Sequence, residues 1–264
     1  MKRVWCGLLV LLSLPTQAVI LTTNKLETIL EHCDKGTLVV FDVDDTLVAD
    51  ASRNTRLVDK KVPVLHRIEH TSRKPCLMEE NIPLLLQQIA RKGANIVALT
   101  SRSPEHLSAT IQQLEHVGIR LAEHCPVGGH YSDDEEGVSY AYNAGVICCG
   151  LSDKGDVLDQ FLSFLAADTS HYINKLVFVD NQLKNVTTVY NMFEPRPGTI
   201  VTSVLYTKAS QNRLSTEGYE VFCKFLTEFL RVQGDSILCR AFNAGLKELA
   251  SNEGLQEFLR VRGH

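Results

Sequence analysis

The segment Leu38–Val48, with the sequence LVVFDVDDTLV, constrains the fold of this chain more than any other. It begins with four apolar residues and continues into the carboxylates of Asp42, Asp44 and Asp45. A short, uninterrupted apolar run rich in β-branched residues is typical of a strand buried on both faces, as in a parallel sheet. Polar groups at the carboxyl end of such a strand lie where open α/β sheets bind ligands. We therefore expect an α/β fold with a functional site at Asp42.

The carboxylates of this segment also predict a bound cation. Asp42 and Asp44 are two positions apart, so both point to one side if the strand geometry continues. Neighbouring carboxylates repel each other unless a cation or protons compensate them. Mg²⁺ is the simplest compensation, because it is a hard cation that takes carboxylate oxygens. An acidic loop at a strand end and a structural calcium site are the alternative interpretations.

Two further apolar segments predict buried strands that end in polar residues. The segment Asn95–Arg102, NIVALTSR, ends in a hydroxyl at Thr100. The segment Leu176–Asn185, LVFVDNQLKN, leads from four apolar residues into Asp180. Both match the buried-strand pattern of the first segment.

A lysine stands in an unusual place between these two strands. The segment Leu151–Leu162 predicts a helix that is capped by Ser152 or Asp153, with Lys154 in its first turn. A helix N-terminus already carries a positive partial charge, so a cation there is unfavourable. This placement indicates that Lys154 has an anionic partner, although a free surface lysine is the simpler alternative.

Taken in order, these residues resemble the four motifs of the haloacid dehalogenase (HAD) superfamily, of which the first is D-x-D-x-T. The matching residues are Asp42 and Asp44 in DVDDT, Thr100 in LTSRS, Lys154 in DKG and Asp180 in VDN. The resemblance covers roughly Gly36–Tyr206. It implies an α/β fold with a doubly wound, mainly parallel sheet, which is the Rossmann-like core of that superfamily, with small cap insertions.

The resemblance implies a phosphatase that hydrolyses a small phosphorylated substrate through an aspartyl-phosphate. Asp42 would be the nucleophile and Asp44 the general acid and base. Thr100 and Lys154 would orient the phosphoryl group and neutralise its charge. The substrate-binding residues would be Thr100, Ser101, Arg102 and Lys154.

The resemblance also implies a Mg²⁺ cofactor. Its ligands would be the side chains of Asp42 and Asp180 and the backbone carbonyl of Asp44. The family often has a second acidic residue after the last Asp, whereas this chain has Asn181 and Asn185. The implied metal site is therefore less charged than usual. An exported binding or effector protein on the same scaffold, and a phosphotransferase, are the alternative functions.

The N-terminus predicts export. Lys2 and Arg3 precede an apolar region that includes Val10–Leu14, and Ala18 offers a small residue for cleavage. This pattern is typical of a signal peptide over residues 1–18 and is too short to span a membrane; a buried N-terminal helix is the alternative. We expect a periplasmic or secreted protein without a membrane anchor, and the resemblance extends to a group of exported bacterial HAD-like proteins.

The net charge of the chain argues against a nucleic-acid partner. The net charge is −4, and it becomes −6 when the predicted signal peptide, which contains Lys2 and Arg3, is removed. A mildly acidic chain of this kind has no evident nucleic-acid footprint, so we expect no nucleic-acid partner. The sequence does not indicate an oligomeric state.

We expect one HAD-like domain over residues 19–264, with possible cap segments at 50–78 and 122–150. The second of these contains two segments of strand composition, Val138–Tyr142 and Ala144–Cys149, which we expect to form a hairpin joined at Asn143. The remaining predicted elements are helices over Thr23–Lys35, Glu79–Lys92, Pro104–Val117, Thr216–Arg231 and Cys239–Arg260 and a strand over Thr199–Tyr206.

Overall fold

A computed structural model of the chain describes residues 18–50, 74–125, 130–133, 138–167 and 173–211. Nearly all of the predicted signal peptide, most of the predicted cap segment 50–78 and both predicted C-terminal helices lie outside these ranges. Within them, no helix is long and apolar enough to cross a membrane.

The described ranges contain ten strands, of which eight form one sheet. The strands are β1 (Val19–Thr23), β2 (Thr37–Phe41), β3 (Val48–Asp50), β4 (Pro75–Leu77), β5 (Asn95–Thr100), β6 (His130–Asp133), β7 (Tyr140–Asn143), β8 (Val146–Cys148), β9 (Lys175–Asp180) and β10 (Ile200–Tyr206). The sheet has the order β1-β10-β9-β2-β5-β8-β7-β6. All neighbours from β1 to β8 are parallel, and β7 and β6 add an antiparallel edge. The short strands β3 and β4 form a separate antiparallel pair.

Helices pack on both faces of this sheet. They are α1 (Ile82–Arg91), α2 (Leu107–His116), α3 (Lys154–Ala167), α4 (Leu183–Phe193) and the short α5 (Lys208–Gln211). Alternate residues of β2 point to opposite faces, so Val39 and Phe41 pack with α1 and α2, whereas Leu38 and Val40 pack with α3 and α4. Two hydrophobic cores result, one on each face. This arrangement confirms the predicted doubly wound, mainly parallel α/β fold.

Several element boundaries differ from the prediction. The first predicted helix is a 3-10 helix over Leu26–His32, and a 3-10 turn, Pro104–His106, precedes α2. The predicted strand Leu176–Asn185 ends at Asp180, and Asn185 lies in α4. Strand β1 was not predicted, because it directly follows the apolar segment that we interpret as a signal peptide.

The predicted hairpin exists, but its turn and its place in the fold differ from the expectation. Strands β7 and β8 are joined through Ala144 and Gly145, one residue later than Asn143, and both turn residues have positive φ, 49° and 80°. Two such residues give the tight turn that suits the twist of a hairpin. Strand β8 pairs with β5 in parallel. This part of the predicted cap segment 122–150 therefore belongs to the main sheet, and fully buried residues such as Ile147 hold it there.

Gly145 offers a test of how tightly this turn packs. A Cβ at Gly145 would lie 2.7 Å from Leu121 Cβ, whereas a Cβ at Gly198, which has nearly the same φ of 82°, would meet nothing within 4 Å. Gly198→Ala is expected to cost about 1 kcal/mol of unfolding free energy through backbone strain alone. Gly145→Ala is expected to cost about 1–3 kcal/mol more, because it adds the overlap with Leu121. Urea denaturation of both variants measures the difference, and equal losses would contradict the tight packing.

Candidate active site

The structure brings four of the predicted site residues together at one edge of the sheet. Asp42 follows β2, Thr100 ends β5, Asp180 ends β9 and Lys154 begins α3. Strand β2 lies between β5 and β9, so the three strand ends are neighbours. All four side chains are buried, and the most accessible, Asp42, is only 6% exposed.

Lys154 joins the two buried carboxylates. Its Nζ donates hydrogen bonds to Oδ1 of Asp42 at 2.5 Å and to Oδ2 of Asp180 at 2.7 Å. The lysine therefore has two anionic partners, which accounts for a cation at the start of a helix. The helix begins here because Asp153 Oδ1 accepts the Gly155 N–H at 2.7 Å, as a capping side chain does.

Burial and charge oppose each other in this cluster. Burial raises the pKa of Asp42 to about 7, although the Lys154 ammonium acts in the opposite direction and favours the ionised carboxylate. Burial also acts to lower the pKa of Lys154, but the carboxylates of Asp180 and Asp42 outweigh it and raise that pKa above its ordinary value. Lys154 is therefore protonated at neutral pH.

The second oxygen of Asp42 is held by a residue to which we had assigned no role. Thr46 is fully buried, and its hydroxyl donates to Asp42 Oδ2 at 3.1 Å. A tight turn makes this contact possible, because the N–H groups of Leu47 and Val48 both reach the Val43 carbonyl at 3.0 Å. The last residue of D-x-D-x-T was the available sequence signal. Lys154 and Thr46 together fix both oxygens of Asp42.

Asp180 is held from three sides. In addition to the Lys154 bond, Oδ1 accepts the Gln182 N–H at 2.7 Å and Oδ2 accepts Asn185 Nδ2 at 2.9 Å. Asn185, where the resemblance to HAD proteins led us to expect an acid, thus donates to Asp180 here. The neighbouring Asn181 has a solvent-inaccessible Oδ1 that accepts no hydrogen bond within the described part of the chain.

The structure places Thr100 beside a buried cysteine. The Thr100 carbonyl accepts hydrogen bonds from the Cys149 N–H at 2.9 Å and from the Cys149 thiol at 3.2 Å. The Thr100 hydroxyl accepts a hydrogen bond from the Arg102 N–H at 3.3 Å. Burial raises the pKa of the Cys149 thiol to about 11, so it is neutral. Cys149 therefore packs beneath the site as a thiol rather than supplying a nucleophile.

Asp44 and Arg102 form a separate pair next to this cluster. Arg102 Nε donates to Asp44 Oδ2 at 2.9 Å and Nη2 donates to Oδ1 at 2.8 Å. The Arg102 side chain is 7% exposed and that of Asp44 is 40% exposed. We predicted that Arg102 binds substrate, but the structure places its guanidinium on Asp44. Ser101, also predicted to bind substrate, is exposed.

In the described ranges, no group of three or more His, Cys, Asp and Glu side chains is arranged to hold a metal ion. The three predicted metal residues are instead divided between two cations. Asp42 and Asp180 share Lys154, and Asp44 pairs with Arg102. Asp42 and Asp180 nevertheless bring one oxygen each to the same ammonium, so those two oxygens lie close together.

No curated protein matches this chain. Among solved structures, the class C acid phosphatase from Bacillus anthracis with tungstate bound is similar at 17% sequence identity and a TM-score of 0.37, over 68% of this chain and 70% of that one. The family model described as "Protein of unknown function (DUF2608)" matches residues 50–228, which include Thr100, Lys154 and Asp180 but not Asp42 and Asp44. Because this match spans more than half of the sequence, the chain belongs to the DUF2608 family.

Proposed function

We propose that this protein is a phosphatase that hydrolyses a small phosphorylated substrate through an aspartyl-phosphate on Asp42. One observation supports this proposal above the others: a single buried ammonium, that of Lys154, lies between Asp42 and Asp180 at the carboxyl edge of the sheet. An open α/β sheet binds ligands at that edge. A carboxylate nucleophile beside a fixed cation suits attack on an anionic phosphoryl group.

The proposed reaction has two steps. In the first, an oxygen of Asp42 forms a bond to phosphorus, the ester P–O bond breaks, and Asp44 gives a proton to the leaving oxygen. In the second, Asp44 takes a proton from a water molecule, whose oxygen bonds to phosphorus and releases inorganic phosphate and the Asp42 carboxylate. Lys154 stabilises the charge of the phosphoryl group, and Thr100 orients it. Positioning and charge stabilisation of this kind carry most of the catalysis in phosphoryl transfer.

The residues present fit a divalent cation, and we propose that it is Mg²⁺. Asp42 and Asp180 are two buried carboxyl groups that share one ammonium, and Asn181 Oδ1, which accepts no hydrogen bond within the described residues, is a further oxygen donor nearby in the sequence. A hard cation prefers such oxygens. The side chains of Asp42 and Asp180 and the Asp44 carbonyl would hold it. When bound, it would neutralise phosphoryl charge.

A non-catalytic binding protein is the second candidate. Both oxygens of Asp44 accept hydrogen bonds from Arg102, and Asn181 and Asn185 stand where HAD proteins often have an acid. Such a protein would bind an anion at Lys154 without turnover. We further propose that the protein acts after export, with residues 1–18 as its signal peptide.

A metal-dependence assay tests the proposed function. The protein without its predicted signal peptide is expected to release phosphate from 4-nitrophenyl phosphate in the presence of Mg²⁺. A chelator is expected to lower the rate by about 100-fold or more, since metal ions contribute several kcal/mol in such reactions. Addition of excess Mg²⁺ should restore the rate. A hydrolysis rate that the chelator does not change would contradict the proposed metal dependence. Phosphate binding without hydrolysis under any of these conditions would favour the non-catalytic binding protein.

A further inference from the structure

We propose that Arg102 is a positioning residue for Asp44, and that α2 holds Arg102 in place for that purpose. The inference rests on the proposed function, in which Asp44 is the general acid and base. It replaces the substrate-binding role that the sequence predicted for Arg102. The contacts of the guanidinium carry it.

The pairing of Arg102 with Asp44 fixes the orientation of the carboxylate. Two parallel N–H···O bonds of 2.9 and 2.8 Å join Nε and Nη2 to the two oxygens. A bidentate pair of this kind sets the plane of a carboxylate as well as its position. Asp44 is 40% exposed, so its side chain borders solvent.

One face of α2 holds the Arg102 guanidinium through two hydrogen bonds. Its Nη1 donates to Thr110 Oγ1 at 3.2 Å and to Gln113 Oε1 at 2.7 Å. These two residues are three positions apart, so they lie on the same side of the helix. Thr110 is fully buried and contacts the Cys148 Sγ at 3.9 Å, which ties this face to β8.

These contacts leave Arg102 little capacity to bind a phosphate. A guanidinium has five N–H donors, and four of them are used on Asp44, Thr110 and Gln113. The side chain is only 7% exposed. Arg102 therefore acts on the reaction through Asp44 rather than on the phosphoryl group.

The pair can persist through the proposed proton transfer. When Asp44 is protonated, one oxygen carries the proton and the other still accepts from Arg102. When the ester P–O bond breaks, the proton passes to the leaving oxygen, and the carboxylate that forms regains both hydrogen bonds. Because Arg102 orients the carboxyl group that protonates the leaving oxygen, its loss should matter most when the leaving group needs a proton.

A series of aryl phosphates with different leaving groups tests this inference. The substrates are 2,4-dinitrophenyl, 4-nitrophenyl and phenyl phosphate, of which the first has a stable leaving anion and the last needs protonation. The readout is the ratio of kcat for the dinitrophenyl ester to kcat for the phenyl ester. The ratio is expected to rise by about 100-fold in Asp44→Asn, since general acids contribute about 10²–10⁴-fold.

Variants of the residues that hold Asp44 in place should give the same pattern with a smaller rise in the kcat ratio. Arg102→Gln is expected to raise the ratio by about 10-fold and Gln113→Leu by about 3-fold, as a fraction of the general-acid contribution. Gln112→Leu is the matched control, because it is the same substitution on the neighbouring, exposed position of α2, and it should leave the ratio unchanged. Should Arg102→Gln not fold, as judged by circular dichroism, Gln113→Leu carries the test.

The outcomes separate this inference from the proposed function. If the wild type is active and Arg102→Gln and Gln113→Leu slow all three esters by one common factor, Arg102 has only a structural role and the inference is overturned alone. If the wild type hydrolyses none of the esters and equals Asp42→Asn, the proposed function fails and the inference fails with it. A selective loss on the phenyl ester in both variants, but not in Gln112→Leu, supports the positioning role.

Discussion

Asp42→Asn is expected to abolish phosphate release, with a loss of about 10⁴-fold or more in kcat, as removal of a nucleophile costs in other hydrolases. The amide has nearly the shape of the carboxylate, but it has no anionic oxygen with which to attack phosphorus. Lys154 keeps Asp180 as a partner in this variant. Steady-state release of phosphate from 4-nitrophenyl phosphate with Mg²⁺ measures the effect.

Asp45→Asn is the matched control for this variant. It makes the same substitution three positions later, where the backbone has a positive φ of 63°. Asn tolerates that conformation about as well as Asp does, so the turn should persist and kcat should stay close to that of the wild type. An Asp42→Asn protein that kept one tenth of the wild-type rate would show that Asp42 is not the nucleophile.

Lys154→Met is expected to have the second largest effect, because it removes the ammonium that two buried carboxylates share. Breaking a buried ion pair from one side costs about 3–5 kcal/mol of unfolding free energy, since an uncompensated charge stays buried. Loss of the cation should also lower kcat by about 10²–10³-fold, as loss of one aimed donor does elsewhere. Urea denaturation and phosphate release measure the two effects.

Lys175→Met provides the comparison at the surface. Lys175 also pairs with an aspartate, Asp34, but both side chains are substantially exposed, at 30% and 51%. Such pairs contribute about 1 kcal/mol or less. If Lys154→Met lost no more unfolding free energy than Lys175→Met, the buried pair would not stabilise the fold.

The loss in Lys154→Met should depend on pH. Burial raises the pKa of Asp42 and the Lys154 ammonium opposes that rise, so removal of the ammonium raises the pKa further. A carboxyl whose pKa is higher in the folded state than in the unfolded state stabilises the fold at low pH and loses that contribution as pH rises. The gap between variant and wild type should therefore narrow as pH falls from about 8 to about 5, following the proton linkage. A gap that widened would contradict the assignment.

The centre of the fold could be predicted from local sequence. Strands β2, β5 and β9 are short apolar runs with polar ends, and a strand buried on both faces requires that pattern. Lys154 was predicted to have an anionic partner because its place at a helix start is unfavourable without one. The structure gives that lysine two such partners. The roles of these residues in catalysis stay predictions.

The contacts between distant segments could not be predicted in this way. Asp44 and Arg102 are 58 residues apart, and nothing in the local pattern of either residue names the other as its partner. In the sequence pattern, Thr110 and Gln113 do not differ from other polar positions of an amphipathic helix. The place of β8 in the main sheet depends on its pairing with β5, which is a property of the tertiary fold. For the same reason the sequence suggested a cap at 122–150.

The central position of β2 has a consequence for synthesis on the ribosome. Of its two neighbours, β5 follows soon in the chain, whereas β9 emerges only after Lys175 has been translated. Until then, one backbone edge of an apolar strand is open in the nascent chain, and open apolar edges favour aggregation and chaperone binding. The strand that closes this edge also brings Asp180 to Lys154, so the Lys154–Asp180 ion pair forms only once this edge of β2 is covered.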